Sequence, residues 1–206
     1  MKPNTHARSY SIATLALIYL VLRFGFTRQL DALGPYAAYL MEVGFVIIAL
    51  GIVGRPSLRA FKLPRAAFYY FPLALAAGYG IFIAAGYSGV PIPFDLVGTE
   101  TVLFLLLVAP ILEELIFRFL LWQPVQALTG RAWLALIFTA FLFSYSHLHA
   151  IWFVPPVIHS FIIYQTAYTL ALGVACGYFV YRYNSVTGAM MIHFAFNLGF
   201  YLASRF

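Results

Sequence analysis

The chain has 206 residues, of which 64% are hydrophobic and only 9% are charged. This composition excludes a soluble globular domain, because apolar runs of roughly 20 residues, the length that crosses a bilayer, recur along the chain. The net charge of +6 comes from basic residues that are scattered or lie in one short loop. Basic residues in the loops of a membrane protein indicate which side of the membrane each loop faces. We therefore interpret the positive charge as a topology signal and do not expect nucleic-acid binding.

Seven apolar segments follow one another and predict an all-α, polytopic membrane protein. They cover residues 9–26, 34–53, 66–87, 101–122 (or 97–122), 133–149, 157–181 and 186–203. The loops between them are short, so we expect a single transmembrane domain over residues 1–206. Three helices belong to residues 1–100, and the helices that carry the candidate catalytic residues belong to residues 101–206.

The distribution of basic residues predicts the orientation. The loop of residues 54–65 holds four of them, including Arg55, and loops rich in Lys and Arg face the cytoplasm. Lys2 and the other basic residues near the N-terminus agree with this assignment. We therefore expect a cytoplasmic N-terminus and a C-terminus outside the cell.

Several polar residues in or beside the apolar segments are expected to be structural. Glu42 in the second segment is expected to form an interhelical hydrogen bond or to lie near the membrane–water interface. His6, His149 and His159 predict hydrogen bonds to backbone carbonyl groups. The lone cysteine, Cys176, excludes an intramolecular disulfide and is expected to be a small buried core residue.

The fourth segment is different, because it carries three charges within six residues. Glu113, Glu114 and Arg118 lie in an otherwise apolar run, where each charge costs at least about 2.5–3.5 kcal/mol. Glu114 and Arg118 are four residues apart and predict an ion pair along the helix. Glu113 points about 100° away from Glu114, so it is left to face a polar cavity. Pro110 is expected to free a backbone carbonyl and bend the helix.

Two later segments supply polar residues at helical spacing. Phe143 and His147 are four residues apart in the fifth segment, and His193 and Asn197 are four apart in the seventh. Each pair therefore shares one face of its helix. A lone histidine or asparagine in an apolar helix is usually structural, but together with Glu113 these residues predict a polar site inside the membrane.

The three motifs Glu113-Glu114-x-x-x-Arg118, Phe143-x-x-x-His147 and His193-x-x-x-Asn197 resemble those of the CPBP family of intramembrane proteases. This family includes CAAX prenyl endopeptidases of the Rce1 type and bacterial relatives linked to bacteriocin processing or immunity. The resemblance implies a helical bundle with an intramembrane polar cavity. It also implies a location in the inner (plasma) membrane and a peptide or protein substrate associated with the lipid bilayer, with a role such as protein sorting.

The chemistry expected of these residues is glutamic-type peptide hydrolysis without a cofactor. Glu113 is the candidate general base, and His147 would share the attacking water with it. His193 and Asn197 suit an oxyanion hole, as the resemblance also implies, while Glu114, Arg118 and Phe143 would support the site. The substrate is expected to be cleaved in or near a membrane-associated segment, such as its C-terminal anchor.

Two alternatives stay open at this point. In the first, Glu113, His147 and His193 ligate zinc and leave one position for water. In the second, the protein is a non-catalytic membrane immunity or scaffold protein that uses the same polar residues for folding.

Overall fold

The computed structural model describes residues 5–54 and 59–206, and all regular secondary structure in these two ranges is helical. Lys2 and Arg55, which contributed to the predicted orientation, lie outside the described residues. The side chain of His6 lies outside them as well.

The N-terminal half contains α1 (Thr5–Gly25), α2 (Thr27–Ala32), α3 (Ala37–Val53) and α4 (Ala66–Tyr87). Next comes one helical path made of α5 (Thr99–Leu103), a π-helical turn (Phe104–Val108), α6 (Ala109–Glu114), a second π-helical turn (Leu115–Leu120) and α7 (Trp122–Thr129). The chain ends with α8 (Ala132–Leu148), 3₁₀ turns at His149–Trp152 and Pro156–Ile158, α9 (His159–Tyr183) and α10 (Val186–Ala203).

Four helical stretches among the described residues are long and apolar enough to cross a bilayer. They are Ala66–Tyr87, Ala132–Trp152, Pro156–Tyr183 and Val186–Ala203. These stretches correspond to the third, fifth, sixth and seventh predicted segments, and the bounds of the third and seventh agree with the prediction to the residue. The prediction of an all-α, multi-pass membrane protein is confirmed.

The other three predicted segments are helical, but the count of seven spans is not confirmed. The second segment corresponds to α3, an apolar helix of 17 residues that is shorter than the roughly 20 residues a perpendicular span needs. The first corresponds to α1, in which Arg8 and Arg23 reduce the hydropathy. The fourth is divided by two π-helical turns.

The outer surface of the bundle is apolar, as expected for a protein whose solvent is lipid. Large hydrophobic side chains such as Leu17, Ile47, Leu73, Phe141 and Ile163 are all more than half exposed. A soluble monomer rarely exposes so much contiguous apolar surface. Several polar side chains, among them Glu114, Arg118, His193 and Asn197, are instead buried in the interior.

Helix α10 packs along α4 at very short range, because glycines lie at the crossing. A Cβ atom added at Gly78 would overlap the carbonyl oxygen of Phe196, and one added at Gly199 would overlap the carbonyl oxygen of Leu75. The two backbones are therefore in direct contact, as small residues allow between membrane helices. A helix of the N-terminal half thus determines where α10 lies.

The turn that connects α9 to α10 is stabilised locally. Asn184 adopts a left-handed conformation at the end of α9, with φ of 49°. Ser185 then caps α10: its Oγ accepts a hydrogen bond from the Gly188 N–H at 2.9 Å and donates to the Lys62 carbonyl at 2.6 Å. This serine ties the start of α10 to the loop that precedes α4.

Candidate active site

The predicted ion pair between Glu114 and Arg118 is present. Arg118 Nε lies 3.2 Å from Glu114 Oε2, and both side chains are fully buried, although the two groups are not aligned as a hydrogen bond. Arg118 Nη2 also donates to the Gly173 carbonyl on α9 at 2.8 Å, and the guanidinium lies 5.0 Å from the centroid of the Phe143 ring on α8. One arginine therefore connects the Glu-bearing helix to two neighbouring helices.

His193 on α10 lies between the two adjacent glutamates. Its Nδ1 is 3.0 Å from Glu114 Oε1, a hydrogen-bonding distance, and its Nε2 is 3.7 Å from Glu113 Oε2. The second separation is longer than a direct hydrogen bond. Because a carboxylate only accepts hydrogen bonds, Nδ1 carries a proton when Glu114 is ionised, and this contact fixes the orientation of the imidazole.

His147 has one ring nitrogen engaged and one available. Its Nδ1 is 2.9 Å from the carbonyl oxygen of Phe143 in the preceding turn of α8, so Nδ1 is the donor and Nε2 carries the lone pair. The Phe143 ring lies 5.0 Å from the His147 ring and 5.7 Å from the His193 ring, measured between centroids. Both histidines therefore contact the same buried phenylalanine.

Asn197 is placed by an irregularity in the facing helix. Within the first π-helical turn, the Ala109 N–H donates to the Phe104 carbonyl, five residues back. The next donor in this pattern would be Pro110, which has no N–H, so the Leu105 carbonyl is left without its helical partner. The Asn197 side-chain amide donates to that carbonyl at 2.7 Å. Pro110 thus frees a carbonyl, and α10 supplies the donor.

A cavity of about 790 Å³ opens beside these residues. Glu113 lies in its wall with 29% of its side chain exposed, whereas Glu114 is fully buried behind it. The structure therefore separates the two adjacent carboxylates in the way that helical geometry predicts. Phe117 and Ser146 contribute to the same wall from the C-terminal half.

The N-terminal helices complete the cavity with a polar cluster that sequence reasoning missed. Arg23 on α1 forms an ion pair with Glu42 on α3 (Nε to Oε1, 3.3 Å), and the Tyr19 hydroxyl donates to the same carboxylate oxygen at 3.2 Å. All three residues line the cavity. The missed signal was one lone acid and one lone base in consecutive apolar segments, which predict each other as partners.

The residues expected to be structural have identifiable partners. Glu42 makes the predicted interhelical contacts, although it also faces the cavity. His159 Nε2 lies 3.2 Å from the Val154 carbonyl oxygen, as predicted. His149 packs among the rings of Phe24, Tyr145, Trp152 and Phe153. Cys176 is buried, and its thiol faces the Ala189 carbonyl at 3.7 Å.

Among residues 5–54 and 59–206, no group of three or more His, Cys, Asp or Glu side chains is arranged to hold a metal ion. Glu113 and His193 face one another, but the structure does not bring His147 together with them as a third ligand. The zinc alternative with Glu113, His147 and His193 stays a prediction.

Residues 98–199 match the family model of type II CAAX prenyl endopeptidase Rce1-like proteins. The chain belongs to the CPBP/CAAX protease-like family. No curated protein and no solved structure matches the chain. The Rce1-like range extends from just before α5 into α10 and contains every site residue proposed from the sequence. The cluster of Tyr19, Arg23 and Glu42 lies outside it, so part of the cavity wall comes from the other half of the chain.

Proposed function

We propose that this protein is an intramembrane endopeptidase that hydrolyses a peptide bond in or near a membrane-associated segment of a protein, such as a C-terminal anchor. One observation carries the proposal: Glu113 lies in the cavity wall, opposite an imidazole that its neighbour Glu114 holds in place. An Rce1-like membrane protease is the coarser identity that the family match supports.

In the proposed reaction, Glu113 acts as the general base. A water molecule attacks the substrate carbonyl carbon and transfers a proton to the Glu113 carboxylate, while His147 Nε2 accepts a hydrogen bond from the same water. The carbonyl oxygen becomes an oxyanion. When the tetrahedral intermediate collapses, the C–N bond breaks and Glu113 returns the proton to the leaving amine.

His193 and Asn197 are proposed to stabilise the oxyanion. One N–H of the Asn197 side-chain amide donates to the Leu105 carbonyl. The amide has a second N–H, which can donate to the oxyanion. When His193 carries both ring protons, Nδ1–H donates to Glu114 and Nε2–H is left for the oxyanion. Donors held in advance by buried partners require little reorganisation during the reaction.

Glu114, Arg118 and Phe143 are proposed to position these groups without touching the substrate. Glu114 orients His193, and Arg118 offsets the charge of Glu114 and ties it to α9. Phe143 separates the two imidazoles and lies against the Arg118 guanidinium. We place this multi-pass protein in the plasma membrane, with its N-terminus in the cytoplasm.

Replacement of the proposed base tests the function. We expect Glu113→Gln to reduce cleavage by about 10²–10⁴-fold, the range that general acid–base catalysis contributes. The measurement compares membrane proteomes, by the C-terminal peptides of membrane proteins, between cells that carry the wild type and cells that carry the variant. Thermal unfolding in detergent should change little, because Glu113 is part-exposed in the cavity wall.

The matched control is Asp95→Asn, which removes one carboxylate at a site that does not line the cavity. Identical proteomes for wild type and Glu113→Gln would overturn the enzyme proposal. Such a result would favour the non-catalytic immunity or scaffold protein, for which the buried Glu114–Arg118 pair serves only to hold the helices together.

Metal dependence has a separate test. We expect the purified protein to keep its full cleavage rate after exhaustive chelation, because the proposed base is a carboxylate and not a metal-bound water. Loss of activity on chelation, followed by recovery when zinc is added back, would instead establish Glu113, His147 and His193 as candidate zinc ligands.

A further inference from the structure

One part of the cavity wall is an irregular loop rather than a helix. Residues 88–98, here called the mouth loop, connect the end of α4 to the start of α5. Phe94 and Leu96 of this loop line the cavity, whereas Asp95 between them is exposed and lies outside the wall. Lining residues at this end, such as Tyr36 and Phe94, are exposed, so the cavity opens here. The mouth loop therefore lies between the cavity and the aqueous phase.

The main chain of the mouth loop is weakly held. Pro91 and Pro93 have no N–H to donate. In the part of the chain that the structure describes, the main-chain groups of residues 91–96 form no hydrogen bond with other main-chain groups. Glycines lie near both ends of the loop: Gly89 has a φ of 65°, which glycine adopts without strain, and Gly98 directly precedes α5. A segment with so few main-chain hydrogen bonds opens locally at a low cost in free energy.

Side chains of α9 and of the residues after α10 fasten the mouth loop. Arg205 donates from Nη2 to the Leu96 carbonyl at 2.8 Å and to the Tyr201 hydroxyl at 2.7 Å. The Phe94 ring lies edge-on to the fully buried Phe161 ring of α9, with centroids 5.0 Å apart. Arg205 is exposed and does not line the cavity itself. It therefore affects the cavity through the loop that it holds.

The helix that precedes Arg205 is the one that carries the proposed oxyanion donors. His193 and Asn197 lie on α10, which ends at Ala203, so a single residue separates the helix from Arg205. A displacement of α10 therefore reaches the hydrogen bond between Arg205 and the Leu96 carbonyl. The contact that holds the mouth loop is in this way mechanically linked to the proposed site.

We propose that the mouth loop is a lid over the cavity, and that the hydrogen bond from Arg205 to the Leu96 carbonyl keeps this lid closed. In the closed state, Phe94 and Leu96 restrict the passage of water and polar solutes to Glu113. Release of Leu96 lets the loop move away from the cavity and widens the passage. Lids of this kind control when an active site exchanges with water. The proposal goes beyond the proposed function, because it holds for any reaction in the cavity.

Cysteine accessibility tests the lid without requiring cleavage. Ala109→Cys places a thiol in the cavity wall, one turn before Glu113 on the same face of α6. The protein in nanodiscs is treated with a methanethiosulfonate reagent that carries a trimethylammonium group, and the permanent charge keeps this reagent out of the lipid. The protein without Ala109→Cys, whose only cysteine is the buried Cys176, gives the blank rate.

Loss of the hydrogen bond should increase the time that the lid spends open. We expect Arg205→Leu to accelerate the modification of Ala109→Cys by about two- to tenfold, as for the loss of one hydrogen bond. A thiol introduced by Val97→Cys, which is exposed on the outer side of the loop, should react at the same rate with and without Arg205→Leu. Thermal unfolding should change little, because Arg205 is exposed.

Arg28→Leu is the matched control for the loss of a positive charge at this end of the bundle. Arg28 lies 5.8 Å from the centroid of the Phe153 ring, which lines the cavity from the connection between α8 and α9. We expect Arg28→Leu to leave the modification rate of Ala109→Cys unchanged. The proposal is overturned if Arg205→Leu has no effect on this rate, or if Arg28→Leu accelerates it equally, which would assign the effect to charge.

The proposed function fails separately from the lid. Faster modification with Arg205→Leu, in a protein that cleaves no membrane-associated segment, would support the lid and contradict the protease. Cleavage that depends on Glu113, together with equal modification rates for Arg205→Leu and the unsubstituted arginine, would support the protease and overturn the lid.

Discussion

Two ion pairs of similar geometry lie in the two halves of the molecule. Arg118 and Glu114 are 3.2 Å apart and fully buried, whereas Arg23 and Glu42 are 3.3 Å apart with 26% and 12% of their side chains exposed. The first pair is local, one turn apart on one helical path. The second joins α1 to α3 and lies in the cavity wall.

The two pairs differ in burial and in the residue that contacts their carboxylate as a third partner. These two differences decide how much each pair contributes to stability and whether it orients another side chain. Glu114 has His193 as a third partner, so its buried charge orients a proposed catalytic group. Glu42 has Tyr19 as a third partner and faces the cavity, where solvent weakens the attraction. The buried pair is therefore costly to break, whereas the partly exposed pair in the cavity wall is expected to contribute little to stability.

The largest expected effect comes from breaking the buried pair. Arg118→Ala should lower the free energy of unfolding by about 3–5 kcal/mol, because it leaves Glu114 as an uncompensated buried charge and removes the donor to the Gly173 carbonyl. Thermal and denaturant unfolding in detergent measure the change. A loss below about 1 kcal/mol would show that Glu114 is not held as a buried anion.

An intermediate loss of stability is expected from a substitution at the crossing of α4 and α10, which determines the position of His193, the third partner of the buried pair. Gly78→Ala should cost about 1–3 kcal/mol, because the new methyl group overlaps the Phe196 carbonyl and must displace α10, which carries His193. We also expect reduced cleavage, although no polar residue is changed. Unfolding and activity are measured on the same preparation.

Gly80→Ala is the control for this displacement. Gly80 lies two residues further along α4, on the opposite side of the helix, and nothing lies within 4 Å of an added Cβ. Alanine should leave stability unchanged or raise it slightly, because glycine is the poorer helix former. Equal losses for the two variants would contradict a specific role for the α4–α10 crossing.

The smallest loss of stability is expected from breaking the Arg23–Glu42 pair in the cavity wall. Arg23→Ala should lower the free energy of unfolding by about 1 kcal/mol or less, since partly exposed ion pairs contribute little to stability. Comparison with Arg118→Ala under identical conditions measures the contrast directly. If the two arginine variants lose equal stability, the distinction between a buried positioning pair and a cavity-wall pair is wrong.

The features that the sequence by itself determined are those set by one helix. The spans at residues 66–87 and 186–203 follow from long, mostly apolar runs that contain no Asp, Glu, Lys or Arg. The Glu114–Arg118 pair follows from the i, i+4 spacing, and the separate direction of Glu113 follows from a rotation of about 100° per residue. The carbonyl freed by Pro110 follows from the missing N–H.

Only the tertiary structure decided which faces of different helices contact one another. His193 contacts Glu114 across 79 residues of sequence, Asn197 reaches the Leu105 carbonyl across 92, and Tyr19 meets Glu42 across 23. Helical periodicity places a residue on a face of its own helix but does not say which helix that face contacts. The close approach of α4 and α10 at Gly78, and the cavity to which both halves contribute, depend on that packing alone.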